Sequence, residues 1–189
     1  MLFRLSRNPE AEARDAIAMA TTPALAAEMR QMLAAMLHQR GETEWAKEVL
    51  TESLADPGVP GEWRSRHLAL LANFQRGDMN DADDLADAER SALASVDEAV
   101  AAADAYSLAH AHQTLWQVNS MRRHHDAALH HVDQALTAVA DQPELADIQF
   151  DLLDNKLFTL QNLDRLPQAR ATLRAARELT APAAQHSSA

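Results

Sequence analysis

Histidine is the residue type in this sequence with the clearest capacity for chemistry. Six of the nine histidines fall within 22 residues, at His110, His112, His124, His125, His130 and His131. On one helix, His124 and His131 share a face, as do Asp126 and His130, so each pair would supply two ligands to a transition metal. A catalytic metal takes three protein ligands, and successive residues on a helix diverge by about 100°. We therefore interpret the cluster as polar helix surface, and a metal-binding protein or metalloenzyme is the most distant alternative; no metal ligand and no cofactor is predicted.

Other sequence motifs of catalysis are missing. The chain has no cysteine, which excludes a disulfide framework, a thiolate nucleophile and a thiolate metal ligand. It also lacks a glycine-rich phosphate loop, a GxSxG elbow and a His-Glu-x-x-His pair. With four glycines in total, it has little scope for the strained loops that present catalytic groups. We predict that the chain is not an enzyme and has no catalytic residue.

The charge balance argues against two classes of partner. The chain has 17 basic and 28 acidic residues, for a formal net charge of −11. A nucleic-acid-binding module needs a concentrated positive face, and an anionic membrane surface would repel this charge. No stretch approaches the roughly 18 apolar residues of a transmembrane helix, and the first residues lack the apolar run of a signal peptide. We expect no direct nucleic-acid partner, no membrane partner and a cytoplasmic location.

Proline, glycine and capping residues divide the chain into helices. Period-2 alternation typical of a half-buried strand is not found, so the sequence predicts an all-α fold. The predicted helices run from Asn8-Pro9 to about Ala20, from Thr22-Pro23 to Gly41, from a cap at Thr43 to the break Asp56–Pro60, from Gly61 to Arg76, from a cap at Asn80 or Asp78 to about Ala103, and over about 105–121, 123–140, 143–162 and 166–179.

A spacing pattern recurs among these helices. A small residue is followed by a large apolar one four positions later and by a small one three beyond. The copies are Ala13/Ile17/Ala20, Ala46/Leu50/Ser53, Ala128/Val132/Ala135 and Ala169/Leu173/Ala176, with a degraded copy at Ala82/Ala86/Glu89. An alanine at a helix crossing permits close approach, and the larger residue fills the groove beside it. The five leading alanines, here called the anchors, therefore predict antiparallel helical hairpins, with a generic helical bundle as the alternative.

This pattern resembles the tetratricopeptide repeat (TPR), a helix–turn–helix unit of about 34 residues with small residues where its helices touch. Gly41 and Gly77 stand five residues before two anchors, where a hairpin must turn, and Asn8 and Asp164 hold the same slot elsewhere. The resemblance implies a right-handed superhelical array, an α-solenoid of about four repeats plus a leading half-repeat. It would form a single domain over residues 1–180, followed by a flexible tail at 181–189. The segment 104–111 is also loosely similar to the C-terminal repeat regions of large ATP-binding regulators from high-GC bacteria.

The resemblance further implies a concave groove, lined by the first helix of each pair, in which a protein or peptide binds. Counted from the anchors, the inward positions are Gln31, Ala35, His38, His67, Leu71, Phe74, Gln113, Gln117, Ser120, Asp154, Phe158 and Gln161. None of them is a cation, so the C-terminal carboxylate binding known in this family is not expected. Replacing Phe74 and Phe158 by alanine is expected to weaken binding and to leave helicity intact. For Leu71, packing under an adjacent repeat is the open alternative.

These observations predict an interaction module, either a scaffold or the sensor part of a regulator. The alternative is self-association. The first pattern match begins at Asn8 with no full helix before it, so the N-terminal face of the array is expected to be open. A second copy of the chain would cover that face, and the protein would then act mainly as a homo-oligomer.

Overall fold

The structure is a computed structural model that describes residues 9–77 and 82–180. Within these residues the chain is helical and contains no strand, which confirms the predicted fold class at this level. The helices are α1 Pro9–Ala18, α2 Pro23–Gln39, α3 Thr43–Ala55, α4 Gly61–Gln75, α5 Ala82–Ala102, α6 Ala105–Met121, α7 His125–Val139, α8 Ala146–Asn162 and α9 Leu166–Thr180. No helix in 9–77 or 82–180 combines the length and apolar character that crossing a membrane requires.

Most helix boundaries agree with the sequence prediction, and two local predictions are wrong. Thr43 does not cap α3, because Glu42 is the last residue with non-helical backbone, and the Thr43 hydroxyl lies 3.1 Å from Nδ1 of His38 instead. The predicted helix 143–162 is divided, since Pro143–Leu145 form a 3₁₀ turn before α8 begins. By contrast, α2 begins at Thr22-Pro23 as predicted, and the Thr22 hydroxyl accepts a hydrogen bond from the Leu25 amide. Asn8, the predicted caps Asp78 and Asn80, and the tail 181–189 lie outside the described residues.

Left-handed residues end several helices. Gly41, Gly77 and Asp164, all predicted to turn a hairpin, have positive φ, as do Ala103 and Arg123. After Gly41 and Arg123, the next amide bonds a carbonyl five residues back: Glu42 to Leu37 and His124 to Asn119. This Schellman-type bond satisfies a carbonyl that the helix end would leave unpaired.

Each helix packs against the next along the chain. In addition, the even-numbered helices α2, α4, α6 and α8 contact one another in series. Of the predicted anchors, Ala46, Ala128 and Ala169 are buried, and Ala13 is half-buried against the core cluster around α2 and α3.

The pattern predicted at Ala82/Ala86/Glu89 is wrong at Ala86, and the Ala82 side chain lies outside the described part of the structure. In α5, Ala86 is exposed, whereas the residues Ala88, Ala92, Ser95 and Ala99 are buried. Because α5 has 21 residues, its crossing with α4 lies further from the turn than the position of Gly77 indicates. At this crossing, the Ser65 and Ser95 hydroxyls each donate to the other residue's carbonyl, at 2.9 and 2.7 Å. With Ala88 as the anchor, Ala46, Ala88, Ala128 and Ala169 are 42, 40 and 41 residues apart.

Candidate functional site

A cleft of ≈ 240 Å³ lies between α2, α4 and α6, and we refer to it as the central cleft. Four side-chain amides line it, those of Gln31, Asn73, Gln113 and Gln117. Its other polar and aromatic side chains include Arg66 on α4 and the pair Tyr106 and His110 on α6. These residues recur at helical spacing on the sides of α2, α4 and α6 that face one another, so their side chains line the same cleft.

Arg66 provides the cleft with a fixed positive charge. Its guanidinium carbon lies 4.9 Å from the ring centroid of Trp63 and 5.1 Å from that of Tyr106. Its Nε donates to the Asp104 carboxylate at 3.3 Å. Asp104 is itself held at the start of α6, where it caps the helix by accepting from the Ser107 amide. Two aromatic faces and one carboxylate therefore orient the guanidinium, and this hydrogen bond leaves the two terminal NH₂ groups for a ligand.

His110 is a neutral hydrogen-bonding group in this cleft. Burial lowers the pKa of its imidazole, and the nearby Arg66 lowers it further. A hydrogen bond with Gln113 and the carboxylates of Asp104 and Asp151 act in the opposite direction but do not outweigh burial. At neutral pH the ring therefore has one donor and one acceptor nitrogen. The Tyr106 ring packs on it with a centroid distance of 4.4 Å.

The amides supply both donors and acceptors. Arg76 donates a hydrogen bond to the side-chain oxygen of Asn73 at 2.9 Å. This bond turns the Asn73 amide nitrogen away from Arg76. Oε1 of Gln31 is buried and, among the described residues, accepts no hydrogen bond. Because buried acceptors are normally satisfied, Gln31 is suited to accept from a bound molecule. The cleft thus combines one fixed cation with neutral groups that both donate and accept hydrogen bonds.

Three of the predicted groove residues, Gln31, Gln113 and Gln117, lie in the central cleft. The prediction for α4 is wrong: His67, Leu71 and Phe74 are buried, so their side chains belong to the core rather than to an open groove. The error follows from the misplaced anchor. The residues that line the cleft from α4 are each one position earlier, at Arg66, Leu70 and Asn73.

None of the twelve predicted positions is a cation, but Arg66, which is not one of them, lines the cleft. Placing the anchor at Ala88 would have identified Asn73, which stands 15 residues before it, as Gln31 and Gln113 do before Ala46 and Ala128. The sequence does not predict Tyr106 and His110 as groove residues, because they lie further from the anchor Ala128 than the predicted inward positions do.

The remaining predicted residues lie elsewhere. His38 is exposed and stacks on Phe74 with ring centroids 4.2 Å apart. Asp154 borders a second, apolar cleft of ≈ 260 Å³ between α8 and α9. Phe158 is half-exposed and meets the Trp116 ring edge-on, and Gln161 is exposed near the end of α8. Ala35 and Ser120 are partly buried. The structure does not bring these residues together with the central cleft.

The histidine pairs differ from those that helical spacing suggested. Nδ1 of His112 on α6 lies 3.3 Å from Nδ1 of His131 on α7. Burial, followed by the neighbouring His131 and His130, lowers the pKa of His112 to about 4. Asp126, paired with His130 in the sequence interpretation, accepts instead from Arg165 at 2.7 Å. In the part of the chain that the structure describes, no group of three or more His, Cys, Asp or Glu residues is arranged to hold a metal ion.

Neither a protein-family model nor a curated protein matches the sequence. Among solved structures, the chain is similar to the crystal structure of BtubC (BKLC) from P. vanneervenii, with a TM-score of 0.73. The similarity covers 92% of this chain and 72% of that chain, at 16% sequence identity. At this identity the likeness shows the fold alone, and it agrees with the helical architecture described above.

Proposed function

We propose that this chain is a protein-interaction module that binds an extended peptide segment in the central cleft. The observation that carries the proposal is the oriented guanidinium of Arg66 beside four side-chain amides in one cleft. An extended peptide has main-chain donors and acceptors along both edges, and side-chain amides match both kinds of group. The neutral imidazole of His110 adds one more donor and one more acceptor.

The size of the cleft favours a peptide segment over a small-molecule substrate. Drug-sized ligands occupy pockets of about 300–1,000 Å³, and the central cleft, at ≈ 240 Å³, is below that range. One or two side chains of a longer ligand would fit within it, and the rest of the ligand would lie over the adjoining helix surfaces. This agrees with a role as a scaffold or regulatory sensor.

The charge of the cleft specifies the ligand further. Arg66 is suited to a carboxylate, since its planar guanidinium donates two parallel hydrogen bonds to that group. The chain as a whole has a net charge of −11, which repels strongly acidic partners over long range. The ligand that fits both conditions has one carboxylate, from Asp, Glu or a chain end, flanked by neutral residues.

The same proposal includes a right-handed superhelical array of the tetratricopeptide type over residues 1–180. It is supported by the nearly constant spacing of Ala46, Ala88, Ala128 and Ala169, by the serial contacts of α2, α4, α6 and α8, and by the structural likeness to BtubC. The repeats here are longer than the family's usual unit of about 34 residues. We place the protein in the cytoplasm as part of this proposal.

Selection from a random peptide library on the immobilised protein tests the proposal. We expect enriched peptides to share an acidic residue among neutral ones. In calorimetric titration of an enriched peptide, Arg66→Gln and Gln113→Ala should each weaken binding by about tenfold, the effect of losing one hydrogen bond to a charged or buried group. Gln134→Ala, at an exposed position of α7, is the matched control and should bind like the wild type. Enriched peptides that bind Arg66→Gln and wild type equally would contradict the proposal.

A further inference from the structure

An exposed apolar stripe runs along α2. Leu25, Met32 and Met36 have 41%, 61% and 52% of their surface exposed, and Met29 between them is half-buried. The successive spacings of four, three and four residues place all four side chains on one face of the helix. Such a run of large apolar side chains on a protein surface normally marks a site of interaction with another molecule.

The corresponding face is covered in α4 and α6. By the 42-residue offset between Ala46 and Ala88, the first three stripe positions correspond to His67, Leu71 and Phe74, which are buried. α2 itself covers them, since His67 bonds the Ala27 carbonyl and Phe74 stacks on His38. By the next 40-residue offset the equivalents on α6 are Ser107, Ala111 and Thr114, also buried. In α4 and α6 a preceding helix therefore covers this face. In α2 no described helix covers the equivalent face, and it is exposed.

The stripe is complementary to itself. Its spacing reads the same in both directions, so an antiparallel copy of α2 places Leu25 opposite Met36 and Met29 opposite Met32. A two-fold contact requires a patch of this kind, because the same residues come from both partners. The four positions carry no charge, so no like charges face each other across the axis. Three of the four are methionines, whose flexible side chains fit against irregular apolar surfaces.

We propose that the chain forms a homodimer in which α2 packs antiparallel against α2 of a second copy. None of the four stripe residues lines the central cleft, so this interaction surface is separate from it. A head-to-tail contact between the stripe and the α8–α9 cleft would instead give assemblies that grow beyond two chains, because such contacts do not close.

Sedimentation velocity over a roughly hundredfold range of protein concentration tests the proposal, because mass action then shifts the equilibrium measurably. We expect the wild type to reach twice the 20.8 kDa of one chain, and the double variant Met32→Glu with Met36→Glu to stay at one. Leu93→Glu on α5, where the side chain is 49% exposed, is the control and should still dimerise. A wild type of single-chain mass, growth beyond two chains, or equal loss of dimer in Leu93→Glu would each overturn the proposal. Arg66→Gln should leave the mass unchanged, which separates this test from that of the peptide cleft.

Cysteine cross-linking tests the register without destabilising substitutions, since the natural sequence has no cysteine. Leu25→Cys and Met36→Cys chains, mixed and mildly oxidised, should form disulfide-linked dimers at least tenfold faster than either variant alone. In the proposed register the two variant residues face each other, whereas identical residues are about 16 Å apart along the helix axis. Equal rates in the mixture and in the separate variants would overturn the antiparallel arrangement.

Discussion

Nε2 of His67 donates a hydrogen bond to the main-chain carbonyl of Ala27, at 3.0 Å, and this bond joins α4 to α2. Because a carbonyl only accepts, the proton must be on Nε2. Nδ1 is buried and has no partner among the described residues, so it gains nothing from a second proton. Burial lowers the pKa of this imidazole to about 4. The residue is therefore a neutral structural link between two helices, although its sequence position had suggested contact with a ligand.

The stability of the protein should depend on pH through His67. In the unfolded chain the imidazole binds a proton near its ordinary pKa of 6.5, whereas the folded protein does so only near pH 4. The free energy of unfolding should be greatest above pH 6.5 and should fall as the pH is lowered from 6.5 to 4. The loss from this group amounts to about 3 kcal/mol over the window. Urea unfolding at a series of pH values measures it.

His67→Gln provides the comparison for this pH dependence. Glutamine retains an N–H near the Nε2 position and does not titrate. The decline in the free energy of unfolding between pH 6.5 and 4 should therefore become shallower, by up to the slope that one bound proton produces. Gln134→Ala, at an exposed position, should keep the wild-type slope. An identical slope in His67→Gln and wild type would show that His67 does not contribute.

Phe74→Ala should destabilise the fold. The ring has 2% of its surface exposed and packs in the cluster with Leu37 and Leu50, so its truncation leaves a cavity that costs about 3–5 kcal/mol. Phe158→Ala, with half of its ring in solvent, should cost less than about 1 kcal/mol. Denaturant unfolding of the two variants checks the contrast. A similar, small effect of both substitutions would place Phe74 outside the core. The double variant Phe74→Ala with Phe158→Ala would then test ligand binding alone, as the sequence predicts.

Arg123→Gly should stabilise the protein. Arg123 has a φ of 59°. For a residue with a Cβ atom, this left-handed backbone conformation costs about 1 kcal/mol or more. Thermal unfolding should therefore show a rise in Tm of roughly 2–4 °C for a chain of this size. The reverse change, Gly41→Ala at a φ of +83°, should lower Tm by a similar amount, because a Cβ there meets no atom within 4 Å and only the backbone conformation is strained. A lower Tm for Arg123→Gly would contradict this account of the turn.

Trp116 and Thr159 should be energetically coupled. Nε1 of Trp116 on α6 donates to the Thr159 hydroxyl on α8 at 2.8 Å, and this hydroxyl in turn donates to the Asn155 carbonyl. A double-mutant cycle with Trp116→Phe and Thr159→Val, followed by urea unfolding, should give a coupling free energy of about 1 kcal/mol. Additive effects of the two substitutions would mean that the bond does not contribute to the packing of α6 on α8.

The sequence was sufficient for the helices and for most of the turns between them. Gly41, Gly77 and the capping Thr22 act locally, through backbone conformation and a hydrogen bond within one turn, so their consequences do not depend on the rest of the chain. The buried anchors Ala46, Ala128 and Ala169 were predictable for a related reason, since small residues at fixed helical spacing identify the face on which two helices meet. The left-handed backbone at Ala103 and Arg123 had no such signal, because neither residue type favours that conformation by itself.

The central cleft required the tertiary structure. Whether α4 turns Arg66 or His67 toward the cleft depends on where the long helix α5 crosses it, and Ala88 is buried at this crossing. The crossing is decided by packing between residues about 30 positions apart, such as Ser65 and Ser95. A one-residue change rotates a helix face by about 100°, enough to exchange a core side chain for a ligand-facing one. Sequence spacing thus determined that the chain is a series of paired helices, and the contacts between those pairs determined which side chains are available to a partner.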